Sequence, residues 1–113
     1  MGRITKRADF LAAAKGNSFA AKGVVIQIRD RGDKGEPRAG FTVTKKLGNA
    51  VARNRIRRRL REAARLALPA VAMAGHDYVL IGRAAGASRP FLSLQNDIRS
   101  ALKRLHGPQA RMD

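Results

Sequence analysis

The stretch Phe41–Ala64, FTVTKKLGNAVARNRIRRRLREAA, holds a strand, a breaker and a helix in succession, and the rest of the chain is read outward from it. Leading into it, Arg38–Thr44 alternates, with Ala39, Phe41 and Val43 on one side and Gly40, Thr42 and Thr44 on the other. A period of two with one apolar and one polar side predicts a strand buried on one face. Lys45–Asn49 is a short basic link, with Gly48 as its breaker. A helix is then expected from Ala50 or Val51 to Leu68, where Pro69 stops it. At about 100° per residue, Ala52, Ile56, Leu60, Ala63 and Ala67 form one apolar stripe. Asn54, Arg57, Arg58, Arg61 and Arg65 gather on the other side, with Arg55 and Arg59 on the flank.

Seven arginines stand between Arg53 and Arg65, opposed by the single carboxylate of Glu62. Like-charged pairs at i,i+4 (53/57, 55/59, 57/61 and 61/65) each cost about 0.2–0.5 kcal/mol. The helix thereby gives up roughly 1–2 kcal/mol from a typical total of about 5–15. An ordinary solvated helix mixes signs instead, because mixing stabilises it. Arginine in place of lysine points to planar, multidentate contact with phosphate. An apolar stripe made mostly of alanine lacks the bulk that a membrane-surface helix needs, so no membrane partner is expected.

The whole chain agrees with a nucleic-acid partner. It has 113 residues, 24 Lys plus Arg against 8 Asp plus Glu, and a formal net charge of +16. Self-repulsion of that size calls for a partner of opposite charge. There are no cysteines and two histidines, His76 and His106, which leaves no disulfide framework and no zinc site of the Cys/His kind. No segment approaches the ~20 apolar residues of a membrane span. The start Met1–Lys15 has no hydrophobic stretch suited to a signal peptide, so a cytoplasmic location is expected.

Around the central stretch, a helix is expected over Lys6–Lys15, with Thr5 as its N-cap and Gly16 past its end. Asp9 falls in its first turn, where a negative charge suits the helix dipole. Val24–Ile28 reads as a strand, Arg29–Pro37 as an exposed turn, and the two flanking strands as a hairpin pair. Gly75–Asp77 reads as a turn containing His76, and Tyr78–Gly82 as a third strand. A last helix, entered through Ser88 as a cap and Pro90 in its first turn, runs to about Leu105. His106 at its end reads as a cation near the negative pole of the dipole. The order is αββαβα: an α+β, single-domain two-layer sandwich spanning 1–113, with residues 107–113 expected to fray.

The quoted stretch also closely resembles the signature of the bacterial ribonuclease P protein family. There a strand and a Lys-Lys-x-Gly-x-Ala-Val link lead into an Arg-Asn-Arg helix followed by more basic residues and Arg-Glu. The likeness includes the uncharged Gly48, Ala50, Val51 and Asn54, and Ala8-Asp9-Phe10 resembles the family's first helix. The resemblance implies the αββαβα sandwich with a left-handed βαβ crossover through the central helix. It implies a protein subunit that binds a catalytic P RNA and the 5′ leader of precursor tRNA, promoting removal of that leader. Carried over by residue, Lys45, Lys46, Arg53, Asn54, Arg55, Arg57, Arg58, Arg61 and Arg65 face the catalytic RNA. Phe10, Thr42, Thr44 and Lys45 line the leader cleft. Magnesium is held mainly by the RNA, with none bound by the protein alone and no small-molecule substrate. Ala14 and Gln27 stand where many relatives carry aromatics, so leader stacking is expected to be weaker here, with polar contacts from Thr42, Thr44 and Lys45 carrying more.

No catalytic residues are expected in the protein. Its carboxylates are scattered, Asp30, Asp33 and Glu36 are interleaved with Arg and Lys, and no serine nucleophile sits in a motif with a base. Charge alone leaves open a structural RNA-binding protein, such as a ribosomal protein, or a DNA-compacting protein.

Overall fold

The computed structural model describes residues 1–107. In chain order the elements are β1 (Gly2–Arg3), α1 (Arg7–Ala14), β2 (Asn17–Ala20), β3 (Val24–Asp30), β4 (Arg38–Thr42), α2 (Ala50–Ala67), β5 (His76–Gly82) and α3 (Phe91–His106). Short 3₁₀ turns at Lys45–Leu47 and Ala84–Ala87 precede α2 and α3. The α+β class read from the sequence is borne out. The expected fraying concerns residues that, apart from Gly107, lie outside those described.

The sheet order is β1-β4-β5-β3-β2, which corrects the expected hairpin of β3 with β4. β5 lies between them, antiparallel to β3 from Val24↔Gly82 to Asp30↔His76 and parallel to β4 from Arg38↔Asp77 to Thr42↔Ile81. The reason is burial. Asp77, Tyr78, Val79 and Leu80 are all buried, so both faces of β5 need cover, and only a central strand receives it. A hairpin would have left this strand at an edge, exposing its apolar rows. α2 therefore becomes the crossover between two adjacent parallel strands. The edge strands β1 and β2, of 2 and 4 residues, are too short to show a periodic signal.

Alternation along the strands splits the core into two unequal parts. Val24, Ile26, Ile28, Ala39, Tyr78 and Leu80 face α2 and α3, which contribute Ile56, Leu60, Ala63, Leu94, Ile98 and Leu102. The opposite face carries Val79 and Ile81, covered in part by Ile4 and by Phe10 and Ala13 of α1. α1 begins one residue later than expected. Lys6, not Thr5, is its N-cap, and no side chain caps it. Likewise, Ser88 does not cap α3, whose N-cap position is Pro90.

His106 is not the helix-end cation the sequence suggested. It is buried, and its Nε2 lies 2.8 Å from the Tyr78 hydroxyl, which accepts a hydrogen bond from the Met73 N–H. Burial and then the neighbouring charge of His76 push its pKa down, so the neutral ring is favoured in the folded state. The unfolded chain gains its proton near the ordinary pKa of about 6.5. Stability is therefore unaffected above that pH and falls as pH drops from ~6.5 toward the lower folded value. We expect the Tm of the wild type to fall between pH 7.5 and pH 5.5, and the fall to be smaller in His106→Gln. Equal slopes in the two proteins would contradict a neutral buried His106.

Candidate nucleic-acid interface

α2 starts abruptly because Asn49 caps it: its side-chain oxygen accepts from the Ala52 N–H at 2.9 Å. Gly48 makes the preceding turn with φ +126°, a conformation that other residues rarely adopt. Ile56, Leu60, Ala63, Ala64 and Ala67 are buried, so the apolar stripe is seated as the sequence predicted. Lys45 and Lys46 are exposed in the turn just before the cap.

The arginines divide into two groups. Arg55 donates to the Ala87 carbonyl at 3.0 Å; Arg59 donates to the Gly86 carbonyl at 3.1 Å and also to the Arg89 carbonyl. These two bind α2 to the turn before α3. That turn is itself held by Arg89, which grips Asp97 at 2.6 and 2.9 Å. Arg55 was expected to face RNA; its Nε is already committed within the protein, although the side chain stays exposed. Arg53 is half-buried, and its Nε has no hydrogen-bond partner.

Asn54, Arg57, Arg58, Arg61 and Arg65, none of them tied to that turn, line one side of an open groove that Arg59 also reaches. Arg57 donates to Asn54 at 3.1 Å, which steadies both side chains. The Arg61 guanidinium carbon stands 5.8 Å from the centroid of the Phe41 ring. Arg65 pairs with Glu62 at 2.5 Å, and that hydrogen bond holds the Glu62 carboxyl below its ordinary range. Among the described residues, Arg65 is the one arginine of α2 in an ion pair.

The second set of site residues lies on the other face of the sheet. The Phe10 ring rests on the backbone of Gly40, where an added Cβ would sit 2.7 Å from ring carbons Cε1 and Cζ and 3.1 Å from the Ile4 Cβ. Thr42, two residues along β4, shares that face and is half-buried; Thr44 and Lys45 are exposed beyond the strand end. Gln27 and Ile81 add half-exposed positions on the neighbouring strands, while Ala14 points to solvent. Alternation places the other aromatics, Phe19, Phe41 and Tyr78 of the strands, on the α2 and α3 side. Gly40→Ala should thus displace Phe10 and cost about 1–3 kcal/mol. Chemical denaturation checks this, and an unchanged midpoint would mean the Phe10 ring is not tightly seated.

Sequence reading missed the ionic network that seats α1. Cross-strand register puts Asp77 of β5 between Arg29 of β3 and Arg38 of β4. Arg38 reaches both Asp77 oxygens at 2.8 and 2.7 Å, and Arg31 reaches one at 2.6 Å. Asp9 of α1 then accepts from Arg29 at 3.1 Å and lies 3.6 Å from Arg38. Burial raises the Asp77 pKa, but the hydrogen bonds and charges of Arg38 and Arg31 outweigh it and hold the carboxyl below its ordinary value. Only strand pairing creates this cluster; the Arg and Asp positions are 39 or more residues apart for Arg38 and Arg31.

Comparison with known proteins matches this geometry. The family model described as Ribonuclease P spans residues 2–106. The Ribonuclease P protein component of Ruegeria pomeroyi is 54% identical over 110 residues, covering 94% of this chain and 87% of the relative. That of Caulobacter vibrioides is 50% identical over 101 residues, covering 88% and 68%. Among solved structures, the RNase P protein from Thermotoga maritima superposes with a TM-score of 0.77 at 29% identity, over 95% of this chain and 100% of that one. The Staphylococcus aureus RNase P protein gives 0.74 at 33% identity, over 92% and 94%. The likeness extends through β1, the five-stranded sheet and α3 as well as the arginine helix, and the chain belongs to the ribonuclease P protein family.

Proposed function

We propose that this chain, as the protein subunit of ribonuclease P in tRNA processing, holds two RNA segments on opposite faces of one sheet. The α2 face, with Lys45 and Lys46 before it, takes phosphates of the catalytic P RNA. The face around Phe10 takes the single-stranded 5′ leader of precursor tRNA, with Thr42, Thr44 and Lys45 as polar contacts along β4. The observation that carries this reading is the separation itself. Arginines without ion-pair partners (Arg57, Arg58 and Arg61) stand on one side, and a partly exposed aromatic, Phe10 against Gly40, stands on the other. Because Phe10 is the aromatic of that face, it supplies the stacking, and a base stacked on an aromatic tolerates any leader sequence.

The bond-breaking chemistry is assigned to the RNA and the magnesium it holds. Among the described carboxylates, Asp9, Asp77 and Asp97 each accept from arginine. Among the described residues no group of three or more acidic or imidazole side chains converges. No helix there is long and apolar enough to cross a membrane, and we place the work of the protein in the cytoplasm. The family match favours this reading over the ribosomal and DNA-compacting alternatives.

Reconstitution tests it. Mixed with a bacterial catalytic P RNA and precursor tRNA at low magnesium, the protein should accelerate 5′ cleavage; rates equal to RNA alone would overturn the assignment. Phe10→Leu should weaken the holoenzyme's affinity for leader-bearing substrate by about tenfold, the order of one stacking contact. Affinity for mature tRNA should not change. An equal loss for both substrates would remove Phe10 from the leader cleft.

A further inference from the structure

α2 does not cover the whole of its sheet face. It crosses β4 and β5, while β1, paired in parallel to the outer side of β4, extends past it. Between the helix and β1 runs an open groove of about 1160 Å³, lined by apolar and arginine side chains together with Asn54 and with Glu62, whose carboxylate is paired with Arg65. Ordinary small-molecule sites enclose roughly 300–1000 Å³. A larger, open groove therefore suits a segment of a bigger molecule.

Its chemistry is graded. Ala39 and Phe41 of β4 form the floor, and Ala64 and Leu68 continue it along α2. Arg57 and Arg61 rise on the helix side. Ile4 packs with α1 on the opposite face, so alternation turns Arg3 of β1 toward the groove, in register with Ala39. Arg3 is exposed and enters no ion pair among the described residues. The Arg61 guanidinium lies 5.8 Å over the Phe41 ring, near the outer limit of about 6 Å for such a contact. It can lift away at little cost. A flat aromatic floor with cations on both rims matches a base joined to its phosphates. An acidic peptide would use the rims and leave the floor idle.

We infer that this groove takes an unstacked nucleotide of the partner RNA, the base on the Phe41–Ala39 floor beneath Arg61 and the phosphates between Arg57 and Arg3. The inference rests on the reading of α2 as the face toward the catalytic RNA, and it adds base stacking to what would otherwise be phosphate contact alone. RNA-binding proteins commonly take up splayed bases on aromatic rings and guanidinium planes in this way.

The test uses NMR titrations of the full chain with 5′-AMP, ribose 5-phosphate and tetraglutamate. AMP should move the Phe41 ring signals and the Ala39 amide, whereas the other two should move arginine signals only. If AMP and ribose 5-phosphate move the same set, or if tetraglutamate moves the floor signals, the nucleotide assignment fails. In the holoenzyme, Phe41→Leu should weaken P RNA binding about tenfold and Phe41→Tyr should restore it. Since Phe41 also touches the core, Arg3→Ala serves as a variant that removes only an exposed side chain. Its expected loss is about threefold. If Arg57→Ala weakens P RNA binding while Phe41→Leu and Arg3→Ala do not, the nucleotide site falls and the wider reading stands. If Arg57→Ala has no effect either, the wider reading falls with it.

Discussion

Asp77→Asn is expected to lower folding stability by about 3–5 kcal/mol, the usual cost of breaking a buried ion pair from one side. For a domain of this size that is a fall in Tm of roughly 15–25 °C. Asp77 is wholly buried and accepts from Arg38 through both oxygens and from Arg31 through one. Arg29 approaches it at 3.7 Å. An amide in its place keeps the shape but cannot balance these guanidinium groups, and its NH₂ would face their donors. The charge left behind lies under α1, which is 8 residues long, lacks a side-chain cap and buries only Ala13. A helix so short does not hold itself in water, so its seat on Arg29 and Arg38 through Asp9 should loosen too.

The same network sets an acid limit. The folded Asp77 pKa lies below its unfolded value. Its contribution is therefore complete above the unfolded pKa of about 3.9 and is lost as pH falls through the folded one. Thermal melts of wild type and Asp77→Asn should differ widely at pH 6 and converge toward pH 2. Asp33, half-exposed at the outer end of the network, serves as the control, and Asp33→Asn should leave the Tm nearly unchanged. A Tm for Asp77→Asn within a few degrees of wild type would show that the three arginines do not depend on this carboxylate.

The second large effect has opposite signs in binding and in folding. Arg57→Ala, Arg58→Ala and Arg61→Ala together should reduce affinity for the catalytic RNA by at least about 100-fold at moderate salt. Six cations on phosphates (Lys45, Lys46, Arg57, Arg58, Arg61 and Arg65) predict a log affinity against log salt slope of roughly −4 to −5, and the triple variant should flatten it by about 2 units. The protein alone should become more stable by up to ~1 kcal/mol, because alanine favours the helix and like-charged i,i+4 pairs disappear. Losing both affinity and stability would mean that the variant had disturbed packing. Unchanged affinity with a slope near zero would mean that the arginine face meets no phosphate.

These two expectations come from different levels of the molecule. The arginine face was legible in the sequence because it depends on residues three and four apart. The same helical period that put Ile56, Leu60 and Ala63 in the core put Arg57, Arg58 and Arg61 outside. The strand at Arg38–Thr42 was legible for the same local reason, since alternation marks its two sides. Even here the structure altered details. Arg55 and Arg59, alike in sequence to their neighbours, turn out to clasp carbonyls of a turn some 30 residues away.

The position of β5 decided most of what the sequence could not show. A run such as Tyr78–Ile81 says that a strand is buried on both faces, but not which strands flank it. Its insertion between β3 and β4 separates the expected hairpin and brings Asp77 between Arg29 and Arg38. The same insertion brings Tyr78 to His106, which turns an expected surface cation into a buried neutral ring.

By itself, then, the amino-acid sequence determined the elements of the central segment, the charge of the α2 face and the type of partner, because short-range periodicity and composition carry that information. Tertiary structure alone decided that the arginines and Phe10 occupy opposite sheet faces, that one buried carboxylate anchors α1, and that an open groove lies between α2 and β1. Those outcomes depend on pairings between distant strands, whose free energy comes from burying both faces of β5 at once.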